Sequence, residues 1–185
     1  MAALNTIEFT KIKLAIVKKE LTKCYINYSV PKDNKLIIAL PVSTVAFDVD
    51  FSYNRPNISI NLVDQELIDF NSHLKNFIIE SVYKNSKKIY GAQKTMEALS
   101  ELYCNPHKSA PVGKKYTDLM QLKINKNSLP ELNFLNKKSK VALTVHISGL
   151  WFSEKSFGPY INVIGIEAPE IKKCDFVDSD TELHF

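Results

Sequence analysis

Four aromatic side chains crowd one short stretch of the chain: Trp151, Phe152, Phe157 and Tyr160, with Lys155 among them. Flat rings stack on nucleobases, worth roughly 1–3 kcal/mol per base, while ammonium groups track the phosphates. Lys114, Lys115, Lys123, Lys138, Lys140 and Lys155 are the candidate phosphate contacts. Taken singly, each is an ordinary surface lysine; beside exposed rings they describe a nucleic-acid surface. Arg55 is the only arginine. Bidentate readout of guanine edges is mostly arginine work. Lysine is a flexible point charge suited to non-specific phosphate contact. Sequence-specific duplex reading is therefore disfavoured. The abundance of Lys, Asn and Ile also fits an AT-rich genome.

Other chemistries find little support. With five glycines, neither a Walker-type loop nor a dinucleotide fingerprint can be written. No serine sits in a GxSxG setting. Cys104 and His107 have a metal-like spacing, but no second pair accompanies them, so no metal and no other cofactor is expected. His146 reads as a packed or surface strand residue. Asp48 and Asp50 alternate with apolar neighbours, as the wet face of a strand does. The expectation is a binding protein and not an enzyme.

At 185 residues, 45% hydrophobic and 24% charged, the chain fits one globular domain. Cys24, Cys104 and Cys174 are odd in number and far apart, which argues against a disulfide framework. No export signal and no membrane-length apolar run is evident, so an intracellular protein without membrane contact is expected. Charge is unevenly placed. From Cys174 onward the chain carries Asp175, Asp178, Asp180 and Glu182 and no Lys or Arg, so it ends in an acidic tail closed by Phe185. Those four carboxylates leave residues 1–173 at +8, four above the whole-chain +4. A basic body suits a polyanion, and an acidic end can compete for the same surface.

Strands must carry the aromatic cluster. Val141, Leu143, Val145 and Ile147 alternate with Ala142, Thr144, His146 and Ser148, the period of a strand with one buried face. A polar break at residues 153–156 and a second β-rich run from residue 157 make a hairpin. Trp151 shares parity with Val145 and Ile147, so it points inward unless Gly149 introduces a bulge. Two of the four rings are expected to face solvent, with Phe157 and Tyr160 favoured because the loop frees them. Earlier come five candidate strands before residue 64, including a run at 42–51 with Val45, Phe47, Val49 and Phe51 on one face. Helical spacing then takes over at about 64–86, with Asp64 as the cap, and again at about 95–104. Residues 116–125 return to strand alternation. The order predicts a mainly β fold with inserted helices, an OB-fold-like antiparallel barrel. Residues 1–173 would be its domain and 174–185 the flexible acidic tail.

Four features occur in one order: the helix holding Phe70 and Val82, the segment from Lys87 through Tyr90-Gly91 to Glu97, the strand with Lys123, and the final hairpin with its acidic, Phe-terminated tail. In these the chain resembles the single-stranded-DNA-binding proteins of phage T-seven type and their relatives in large DNA viruses, over roughly residues 40–185. The resemblance implies an OB-fold that coats single-stranded DNA during replication and recombination. It implies that Lys123 contacts phosphate and that Trp151 and Tyr160 lie at the stacking platform. Asp175, Asp178, Asp180, Glu182 and Phe185 would form a regulatory tail that occupies the DNA groove and recruits replication proteins, a polymerase, helicase or primase. The site of action would be that of viral or phage DNA replication in the host cell, with a homodimer left open. The tail here is short and only moderately acidic, a departure that bears on its competition with DNA. The rival readings are an RNA-binding OB-fold protein and a virion or protein–protein module without nucleic acid.

Overall fold

The computed structural model describes residues 4–18, 22–28, 35–49, 56–113, 117–124 and 135–168. Strands β1 (Ile12–Lys18), β2 (Thr22–Tyr28), β3 (Leu36–Ala39), β4 (Ser43–Thr44) and β5 (Asn57–Asn61) come first. Helices α1 (Gln65–Lys84), α2 (Ser86–Tyr90) and α3 (Met96–Leu102) follow. Then come β6 (His107–Lys108), β7 (Leu119–Ile124), β8 (Lys140–Phe152) and β9 (Phe157–Glu167). The protein is mainly β with inserted helices, as the sequence predicts.

The nine strands form one mixed sheet in the order β1-β2-β8-β9-β7-β5, with β3 and β4 also on β8 and β6 on β7. All pairs are antiparallel except β7 with β9. The far end of this path returns to its middle. Val45, the residue after β4, bridges Ile60 of β5, and Ala46 N–H donates to the Ser59 carbonyl at 2.8 Å. Five segments thus pair in a circle: β4, β8, β9, β7, β5 and back to β4. β1 and β2 form a ribbon outside it, joined to β8 among the described residues by Cys24↔Leu150 and Tyr25↔Gly149.

Alternation explains the core. Ile58, Ile60, Met120, Leu122, Ile124, Val141, Leu143, Val145 and Ile147 are all buried, and their strand neighbours point out. α1 buries Leu67, Phe70, Leu74, Ile78 and Val82, one face at helical spacing. Asp64 caps it by accepting from Leu67 N–H at 3.0 Å, which satisfies one of the orphan donors of the first turn. Thr95 does the same for α3 through Ala98 N–H at 3.2 Å. α2 stops on Gly91, left-handed at φ 79°.

The expected strand at 42–51 is shorter than its alternation implied. Only Ser43–Thr44 form a strand, followed by the bridge at Val45, and Phe47 is 53% exposed instead of buried; Asp50 and Phe51 lie outside the described residues. The backbone bends there, and Asp48 accepts Lys137 N–H at 2.7 Å, tying the segment to the turn before β8.

Candidate nucleic-acid interface

The β8–β9 hairpin carries the aromatic cluster, and its register decides which rings reach solvent. Two irregularities interrupt the pairing, between Thr144 and Val145 and between Ile147 and Gly149. Below the second, odd-numbered residues of β8 are buried; above it Leu150 is buried and Trp151 is half-buried. The bulge has moved Trp151 to the outer face. There its ring lies over Gly158, its cross-strand partner. A Cβ at Gly158 would sit 3.1 and 3.2 Å from Trp151 ring atoms and 2.8 Å from the Cys104 carbonyl oxygen. A side chain at 158 would press on this ring and collide with the Cys104 carbonyl.

Trp151 and Tyr160 line an open cleft of about 250 Å³ together with Asn57, Lys108, Gln121 and Lys123. The register places them. On the outer face, Asn57, Lys123, Asn162 and His146 form one row across β5, β7, β9 and β8. Gln121 stands two residues from Lys123 on the same face. Lys108 arrives on β6, which pairs with the start of β7. A short polar network fixes that segment. His107 Nε2 lies 2.6 Å from Asp118 Oδ2, and Ala110 N–H donates to Asp118 Oδ1 at 2.9 Å. The Ala110 N–H and the His107 ring hold the Asp118 carboxyl below its ordinary range. His107 is thereby engaged with Asp118, and no group of three metal-ligating side chains occurs among the described residues.

The described lining holds two lysines and no carboxylate. A second cleft, beside α1, includes Glu66, Asp69 and His73 with Phe9 and Phe70. Its acids suit it poorly to a polyanion. On the outer face of β8, partial burial and the Lys35 charge push the His146 imidazole below its usual value.

The remaining predicted residues divide. Phe157 is fully buried at 0% exposure and is corrected from a stacking residue to a core residue. Its ring packs against Tyr103 at 5.7 Å and stacks on Phe152 at 5.6 Å and 14°. The loop does not free it because the tight turn at 153–156, closed by Ser153 N–H to the Ser156 carbonyl at 2.8 Å, ends before residue 157. Phe152 is likewise engaged, with one face on Phe157 and the ring edge-on to Tyr90 at 6.1 Å. Neither lines the cleft. Burial pushes the Tyr103 phenol upward. Lys155 is exposed on the hairpin turn. Lys138 and Lys140 are exposed where β8 begins, up to about 36 Å along the strand from Trp151. None of these three lines the cleft. Lys114, Lys115 and the tail residues Asp175, Asp178, Asp180, Glu182 and Phe185 lie outside the described residues.

Lys108, Asn57 and Gln121 escaped the sequence reading. Gln121 and Lys123 alternate with Met120, Leu122 and Ile124, a signal that both face outward. Nothing local announces that Lys108 joins them, because β6 has two residues.

The chain belongs to a family of unknown function, DUF5871, whose profile matches residues 43–180. That span holds the closed circle of strands, the helices and the cleft, and excludes the β1–β2 ribbon. No curated protein matches the chain. No helix among the described residues is long and apolar enough to cross a membrane.

Proposed function

We propose that the protein binds single-stranded DNA without sequence specificity, in viral or phage DNA replication and recombination. The observation that carries the reading is the cleft: two outward rings, Trp151 and Tyr160, beside two lysines, Lys108 and Lys123, with no acid in the described lining. Rings accept any base by its face, lysines neutralise phosphates, and Asn57 and Gln121 offer amide hydrogen bonds. A circle of five strand segments with a helical insertion is consistent with an OB-fold barrel, an architecture that binds oligonucleotides on its outer strand face. The acidic tail, Asp175 to Glu182 with Phe185, competes for this basic surface in free protein. Once DNA displaces it, the tail is available to a replication partner. The protein acts by binding, without catalysis or cofactor.

The test is titration with oligo-dT at several salt concentrations, followed through Trp151, the single tryptophan. Affinity falls linearly with salt on a logarithmic plot as counterions are released. Lys123→Gln weakens binding for all sequences and lowers the slope by about one. A chain ending at Lys173 binds more tightly than the full chain if the tail competes. Oligo-rU competition separates a DNA from an RNA preference. Absence of salt-dependent binding by both full and shortened chains refutes the proposal.

A further inference from the structure

Tyr25 is 48% exposed and Tyr160 is 38% exposed, and Gly149 pairs with both: Tyr25↔Gly149 from β2 and Gly149↔Tyr160 from β9. Residues directly opposite on antiparallel neighbours share a face. The two tyrosines therefore stand on the same outer surface, with a residue lacking a side chain between them. Two strand-to-strand steps of about 4.8 Å separate their backbones by about 10 Å. One flat base needs about 3.4 Å on each side. Trp151, two residues beyond Gly149, lies on the same face at the cleft side of Tyr160.

We infer that Tyr25 and Tyr160 are the walls of a slot for one unpaired nucleobase, floored by Gly149, next to the Trp151 cleft. The inference rests on the nucleic-acid reading above and extends it to a segment outside the family match. On β1, Lys13 shares the outer face with Ala15, the partner of Tyr25, and is exposed. It is placed to meet the phosphate beyond the slot. Bound strand then runs across the sheet: from Lys123 on β7, past Tyr160 on β9 and Gly149 on β8, to Tyr25 on β2. The anchoring of the ribbon supports a fixed wall. Ile12 and Ile26 are buried under it, so Tyr25 projects from a packed element.

The experiment compares Tyr25→Ala, Tyr25→Phe and Tyr160→Ala with the wild-type full chain. Affinity for oligo-dT is measured by fluorescence anisotropy, and folding is checked by thermal melting. Tyr25→Ala is expected to bind about 5- to 160-fold more weakly at unchanged melting temperature. Tyr25→Phe, which keeps the ring face, stays near wild type. Oligo-dT carrying 5-bromodeoxyuridine is expected to photocrosslink to a peptide containing Tyr25. If Tyr25→Ala binds as wild type while Tyr160→Ala is weakened, the slot is wrong and the cleft reading survives. If the wild type itself fails to bind oligo-dT, both are overturned.

Discussion

Replacing Gly158 with alanine isolates the contact on which the Trp151 position depends. The new methyl carbon would lie 2.8 Å from the Cys104 carbonyl oxygen and 3.1–3.2 Å from the indole. The carbonyl has little freedom. Cys104 N–H donates to the Phe157 carbonyl at 2.7 Å, and Tyr103 bridges Phe157. The indole gives by the few tenths of an ångström its own contacts need, but the 2.8 Å contact is relieved only by a shift of the hairpin backbone against Cys104, which carries the Trp151 side of the cleft with it. Forcing a methyl into such a contact costs about 1–3 kcal/mol. For a domain of this size that lowers the melting temperature by about 2–12 °C. Intrinsic emission changes as the indole shifts, and affinity for oligo-dT falls because a stacking face worth about 1–3 kcal/mol has moved. Gly165→Ala is the control. Its methyl meets the Thr144 side chain at 3.3 Å, a softer contact on the same hairpin. A Gly158→Ala protein that melts, emits and binds as wild type would refute the account of the ring.

Other substitutions test the surroundings. Gly91 is left-handed at φ 79° with nothing within 4 Å of a Cβ, so Gly91→Ala costs backbone strain alone. It should lower stability by about 1 kcal/mol in thermal melts, without affecting binding. Asp118 has a depressed carboxyl, so its stabilisation is present above the ordinary value of 3.8 and is lost as pH falls through the lower folded value. Asp118→Asn should therefore show a weaker acid dependence of melting temperature. Because Asp118 holds His107 and Ala110 on either side of Lys108, it should also bind oligo-dT less tightly.

The elements that obey one period were legible. α1 announced itself by Asp64 and by apolar residues at helical spacing, and β8 by strict alternation through Ile147. Lys123 was legible for the same reason, as an outward residue on an alternating strand. The hairpin's far half was open at the sequence level because one bulge decides whether Trp151 or its neighbour faces the core. Phe157 was misplaced because its face is set by pairing with Phe152 at the first position after the turn, which aims it into the core against Tyr103. Lys108 and Tyr25 were missed for different reasons. Lys108 sits on a two-residue strand too short to show a period, and Tyr25 is brought to the face by pairing with Gly149 far along the chain, a register that leaves no local periodic mark. The strand at 42–51 shows the converse failure, where the bond from Lys137 N–H to the Asp48 carboxylate goes with a departure from a weak alternation.

The circle of strands closes through little hydrogen bonding among the described residues: the single bridge of Val45 to Ile60, which includes the bond from Ala46 N–H to the Ser59 carbonyl. The β8–β9 hairpin opposite is paired along most of its length. Breathing of the wall should begin at this thin junction, far sooner than at the hairpin, because opening there breaks so few bonds. Amide deuteration would register it as rapid uptake at Ala46 against slow uptake at Val145. A strand gripped along β7, β9 and β8 would then meet this junction's strands only through Asn57 of β5, so that occupancy and elasticity fall largely on different strands of the same wall.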